Sequence, residues 1–108
     1  MSKSIKIEHD GKTYTLSYTK RTVKEMEASG FIAEEVGLKP ATMVPMLFSG
    51  AFLRNHRFVK EPVKEEIYDL ITDKPGLINV LVDMYNEALA ELVDEPEDEA
   101  KKVKWTVE

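Results

Sequence analysis

The sequence predicts an α+β fold: an N-terminal β-hairpin packed on a bundle of about four α-helices, with a charged C-terminal segment after it. Three observations predict it. Apolar residues alternate with period 2 from Ser4 to Tyr18, the period changes to that of a helix near Thr19, and charge replaces apolar residues after Val93. Residues 1–93 therefore read as one domain, and 94–108 as a solvated, flexible segment.

The hairpin is predicted by Ile5, Ile7, Tyr14, Leu16 and Tyr18 around the turn dipeptide Asp10-Gly11. A two-residue turn there sets His9 opposite Lys12, Ile7 opposite Tyr14 and Ile5 opposite Leu16, so the apolar residues share one face. Such a ribbon is marginal alone and must sit on something. Thr22 and Glu25 have capping-box spacing and Gly30 offers a left-handed stop, which predicts a short helix from Val23 to Ser29. Ala33 to Val36 can add one helical turn before Gly37 and Pro40.

Val44, Leu47, Phe48, Ala51 and Phe52 fit the buried stripe of a helix with Thr42 as its cap, which puts Pro45 in the first turn. Gly50 in that helix suggests the close approach of another backbone. Pro62 opens a helix with Val63, Ile67, Leu70 and Ile71 on one side, ending near Asp73. The longest helix follows over Leu77 to Val93, with Ile78, Leu81, Val82, Tyr85, Leu89 and Leu92 as its stripe and Val80, Met84 and Ala88 widening it. Leu81, Tyr85, Phe48 and Phe52 are the expected core.

With 108 residues, 43% of them hydrophobic, the chain can close one core without staples. The absence of cysteine excludes disulfides, thiolate metal sites and a cysteine nucleophile, and fits a reducing compartment, with the cytoplasm as the default. No apolar run reaches the length of a signal peptide core or a membrane span, so secretion and membrane insertion are disfavoured. The net charge of -5 disfavours nucleic acid, although residues 1–24 carry six cations against Glu8 and Asp10. The cluster Lys20, Arg21 and Lys24 could touch phosphate, but no recognition helix accompanies it.

No catalytic, cofactor-binding or metal-ligating set emerges. His9 reads as a turn neighbour, and His56 as one of the cations at the end of a helix. Neither has a zinc-site or nucleophile partner. The carboxylate pairs Glu65/Asp69 and Asp83/Glu87 read as solvated helix faces, and the isolated glycines form no phosphate-binding loop.

The order of elements resembles the tail assembly chaperones of long-tailed bacteriophages. The residues that carry the likeness are Gly11-Lys12-Thr13-Tyr14 in the hairpin, Glu25 to Gly30 in the short acidic helix, the apolar stretch from Met46 to His56, and the closing helix from Leu77 to Leu92. These are patterns of residue type with no invariant chemical group, and they span residues 4–93. The resemblance implies a non-catalytic protein of the host cell cytoplasm that self-associates, binds the tape measure protein, helps recruit tail tube protein, and is absent from the mature virion. The alternatives are a small DNA-binding phage or bacterial regulator, and a structural tail or connector subunit.

The candidate protein-binding residues follow from an excess of apolar side chains. Met43, Met46, Leu53 and Phe58 fall outside the stripe of the third helix. Either that helix is buried on all sides or it has a second apolar face whose methionines can repack against partner helices. Trp105, in the charged segment between Val103 and Val107, is either a docking anchor or packs back on the domain.

Overall fold

The computed structural model describes residues 3–93 and 102–107. Strands β1 (Ile5–His9) and β2 (Lys12–Leu16) form an antiparallel hairpin, followed by α1 (Lys20–Ala28), a 3₁₀ turn (Ala33–Glu35), α2 (Pro40–Gly50), α3 (Glu61–Leu70) and α4 (Lys74–Ala90). This is the α+β architecture expected from the sequence.

The hairpin has the expected register, with Ile5 opposite Leu16, Ile7 opposite Tyr14 and His9 opposite Lys12. Asp10 and Gly11 both have positive φ, 52° and 76°, which is the primed turn that matches the twist of the strands. Tyr14 and Leu16 are buried, whereas Ile5 and Ile7 are only half covered.

Helix α1 begins three residues before the expected Val23. Its cap is Thr19, not Thr22: the Thr19 hydroxyl accepts the Thr22 amide at 3.1 Å, and the Thr22 hydroxyl accepts the Thr19 amide at 2.9 Å. Two threonines at capping-box spacing satisfy each other, which releases Glu25 for another partner. The helix ends as expected at Gly30, where the Gly30 amide bonds the Glu27 carbonyl and the Phe31 amide the Met26 carbonyl.

Helix α2 also starts early. Pro40 takes a first-turn position, with Lys39 as cap, so Pro45 lies inside the helix rather than at its start. Pro45 cannot bond the Ala41 carbonyl four residues back, and Ala41 is exposed, so water can satisfy that group. The buried stripe also differs, because Met43, four residues before Leu47 and eight before Ala51, shares their face. Met43 is buried at 5% exposure while Val44 is half-buried, which is the reverse of the expected order. Gly50 does permit a close approach, but by the Met26 side chain and not by a backbone.

After α2 the chain turns back along β2 and closes that strand's outer edge. The Ser17 amide donates to the Ala51 carbonyl at 3.0 Å, the Thr15 amide to His56 Nε2 at 2.9 Å, and Asn55 to the Thr15 carbonyl at 3.2 Å. His56 is therefore an acceptor, which requires the Nδ1–H tautomer, and its role is to finish a sheet edge, not to cap a helix as a cation. Its ring meets the Tyr14 ring edge-on at 5.3 Å.

In α3, Ile67 is buried as expected but Leu70 points to solvent, and Lys64 takes the inner place instead. In α4, Leu81, Met84, Tyr85 and Ala88 are buried, while Val80 and Leu92 are largely exposed, Leu92 because the helix ends at Ala90. Glu87 is not a plain solvated carboxylate, since Lys3 lies 3.3 Å from it. The core centres on Tyr85, whose ring meets Tyr18 at 5.6 Å and Phe31 at 4.9 Å, and on Phe48 and Phe52, 5.2 Å apart. Burial pushes the Tyr85 hydroxyl up to about 12 and the Tyr18 hydroxyl higher still, so both stay neutral; Tyr18 donates to the Leu47 carbonyl at 2.6 Å.

The expected flexible segment falls largely outside the described residues. In its described part, Val103, Trp105 and Val107 are all exposed. No helix among the described residues is long and apolar enough to cross a membrane.

Candidate protein-binding surface

Where α1 crosses α2, the missing side chain at Gly50 admits Met26, whose Cε lies 2.6 Å from where a β-carbon would stand. Beside this crossing runs a groove of about 410 Å³, lined by Met26, Pro45, Met46, Gly50 and Leu53, with Glu25, Ser29, Ser49 and Glu61 as its polar members. Met46 and Leu53 are seven residues apart, so the helix and the turn after it bring both to one side. Both are half-buried and packed against the core at their base.

Two polar clamps hold the groove's walls. Arg57 donates both terminal nitrogens to Glu25, at 2.9 and 3.1 Å, tying the turn after α2 to α1. Hydrogen bonds from Arg57 hold the Glu25 carboxyl below the usual carboxylate range despite some desolvation, and Arg21, 3.5 Å away, adds to the effect. On the other wall, Lys64 Nζ donates to Ser49 Oγ at 2.9 Å and to Glu61 at 3.1 Å, and Ser49 donates to Glu61 at 2.8 Å. Burial raises the Glu61 carboxyl, but the bonds from Ser49 and Lys64 outweigh it and the net shift is downward. The stem of Lys64 packs inward and its nitrogen sits 5.5 Å from the centre of the Phe52 ring.

A serine next to a lysine raises the question of nucleophilic chemistry. Here the lysine donates to the serine oxygen and the serine passes its proton toward a carboxylate already paired with that lysine. The three groups form a closed hydrogen-bonded triangle that ties α2 to α3. Among the described residues, no group of three or more His, Cys, Asp or Glu could hold a metal ion.

The chain belongs to the family described as Domain of unknown function (DUF5055). The family's model matches residues 1–108. No curated protein and no solved structure matches the chain. The DUF5055 description names no activity, so the surface has to be read from its own geometry.

Of the five candidate binding residues, Met46 and Leu53 share the groove, and Met43 belongs to the core beneath α2. Phe58, 92% exposed, lies elsewhere on the turn after α2, beside a hollow lined by Arg21, Arg54, Asn55 and Arg57 that Leu53 also borders. Trp105 is 81% exposed and joins neither. Met26 and Pro45 are groove residues that the sequence did not suggest. Their signal was Gly50, which marked a close approach on α2 without saying which element made it.

Proposed function

We propose that this chain is a non-catalytic tail assembly chaperone, which self-associates and binds the tape measure protein during tail morphogenesis. The observation that carries the reading is the groove at the α1–α2 crossing, with methionines from both helices and Leu53 at its end. An apolar groove between helices suits the apolar face of a partner helix, and unbranched methionines can repack against the varied side chains of a long helical partner. The clamps at Glu25–Arg57 and at Ser49–Glu61–Lys64 support the reading, since they tie α1, α2 and α3 together around the groove. On this reading the protein works in the host cell cytoplasm, assists recruitment of tail tube protein and is absent from finished virions.

The DNA-binding alternative draws little from the basic hollow. Arg57 and Arg21 share Glu25, so one of the hollow's three arginine charges is already compensated, and the rest form a small patch on a chain of net charge -5. The test begins with the gene neighbourhood, where a downstream reading frame for a very long, helix-rich protein would favour the chaperone, and continues with co-expression of the chain and that downstream protein. Replacing Met46 and Leu53 together with serine should abolish capture of that protein while leaving a cooperative melt, because both side chains are only partly buried and lie outside the fully buried core. Capture that survives the double substitution, or binding that weakens steeply with salt toward DNA, would reject the chaperone reading. Retention of the chain in purified virions would favour the connector subunit instead.

A further inference from the structure

The two edges of the hairpin are treated differently. A two-residue turn makes His9 and Lys12 a hydrogen-bonded pair, and alternation makes Ile7/Tyr14 and Ile5/Leu16 bonded pairs as well. The amides and carbonyls of Thr15 and Lys6 therefore point away from the partner strand, as do those of Thr13 and Glu8. On β2 the outward groups of Thr15 are taken by His56 and Asn55, and the Ser17 amide by Ala51. On β1, none of the described residues bonds the outward backbone groups of Lys6 or Glu8. The β2 edge is closed from Thr15 to Ser17, leaving Thr13 beside the turn, whereas the β1 edge is open at both Lys6 and Glu8, and an open edge is a template for another strand.

The same chain carries a strand-like sequence that pairs with nothing regular. Val103-Lys104-Trp105-Thr106-Val107 alternates apolar and polar residues, is rich in β-formers, and exposes Val103, Trp105 and Val107 at 91%, 81% and 87%. Its apolar side lacks a cover, and Ile5 and Ile7 at the open edge are only half covered.

We propose that β1 accepts the segment Val103–Val107 of a second copy of this chain as an antiparallel third strand, each copy donating to the other. The register is fixed by charge and face. With Trp105 opposite Ile7, antiparallel addition sets Val107 opposite Ile5, Val103 opposite His9, Lys104 opposite Glu8 and Thr106 opposite Lys6. Apolar residues then extend the dry face, and the wet face gains an opposite-charge pair. Parallel addition with Trp105 at Ile7, or an antiparallel slip that puts Trp105 at Ile5, would instead set Lys104 against Lys6. The occupant is a second copy because, among the described residues of one copy, β1 pairs with β2 alone and Trp105 is in solvent. The inference rests on the self-association in the chaperone reading and gives it a route separate from the groove.

Trp105 is the only tryptophan, so its fluorescence reports on this contact directly. The full-length chain should show an emission maximum that moves to shorter wavelength as concentration rises from low micromolar to submillimolar, in step with a monomer-to-dimer change in mass by light scattering. Glu8→Lys and Lys104→Glu should each weaken dimerisation by up to about fivefold per contact, and the two together should restore it. Trp105→Ser should leave the melt unchanged and the chain monomeric. An emission maximum that stays at the solvent-exposed position while the chain dimerises would overturn the proposal, as would a shifted maximum in a monomer, which would mean docking within one copy. If the Met46/Leu53 double substitution removes dimers and Glu8→Lys does not, the route proposed here fails while the chaperone reading stands. If dimers form through β1 but the downstream protein is never captured, the reverse holds.

Discussion

Gly50→Ala should change the sign of its effect according to what stands at position 26. In an ordinary helix the exchange would stabilise by about 0.8–1 kcal/mol, because alanine loses less backbone freedom on folding. At this position the new methyl would meet Sδ, Cε and Cγ of Met26, with Cγ at 2.9 Å, too near for the end of the side chain alone to swing aside. Met26 is 4% exposed, so it has to be pushed against neighbours or out of the core. Overpacking of this kind costs about 1–3 kcal/mol, which leaves a net loss of about 0–2 kcal/mol. With Met26→Ala already in place, the methyl meets no obstruction and the gain of about 1 kcal/mol should reappear. The coupling energy, the cost without the gain, is then about 1–3 kcal/mol. Thermal melts of the four proteins measure it, since about 1 kcal/mol moves the midpoint of a domain this size by roughly 4–8 °C. Equal stabilisation by Gly50→Ala in both backgrounds would show that Met26 does not occupy that space, and with it the account of the groove's floor would fall.

His56→Ala should cost about 1–3 kcal/mol by stranding the part-buried Thr15 amide, with faster hydrogen exchange at Thr15 and at Ser17 beside it; unchanged exchange there would show that the loop does not seal the edge. Tyr18→Phe should cost about 1–2 kcal/mol because the Leu47 carbonyl loses a buried donor, readable as a lower denaturant midpoint at constant slope. For Glu25, the folded carboxyl is held below its ordinary value by Arg57, so the contribution of the clamp is present above the ordinary carboxylate range and is lost as pH falls through the folded pKa. The melting difference between wild type and Glu25→Gln should therefore be largest near neutral pH and shrink toward strongly acid pH. A difference that is flat with pH would remove the clamp from the account.

The hairpin was legible in the sequence to the residue, because a period of 2 and a two-residue turn leave a single register that buries one face. Helix starts were less legible. Thr19 and Thr22 could each cap α1, and only the folded chain shows that they cap each other while Glu25 turns to Arg57, thirty-two residues away. At α2, two prolines five apart offered two starts, and both Met43 and Val44 stand at i, i+3 or i, i+4 spacing from Leu47, so periodicity alone did not decide which of them the core takes. Lys64 was invisible as a core position, since nothing local to α3 says that its charge will find Ser49 and Glu61 at the rim. The candidate surface was half legible: an excess of apolar residues around α2 pointed to Met46 and Leu53, but Met26 comes from another helix, and no local pattern places it in the groove.

The topology of the hairpin bears on whether the two proposed contacts compete. The groove is built from α1, α2 and the turn that follows α2, and that turn is bonded along the outer edge of β2. The open edge belongs to β1, on the far side of β2 from that turn. A strand added to β1 therefore lies across the width of the ribbon from Leu53 and occupies none of the groove's lining residues. Copies joined through β1 would each keep a vacant groove, and linked grooves raise the effective concentration of each for a partner that repeats its apolar face along one long helix. This makes the two contacts separable by experiment and additive in use. Lys104→Glu should weaken capture of a long helical partner through lost avidity while leaving the affinity for a single short helix unchanged, whereas the Met46/Leu53 double substitution should lower both. Equal effects of Lys104→Glu on the long and the short partner would show that the open edge touches the partner itself and that the groove and the edge are one surface.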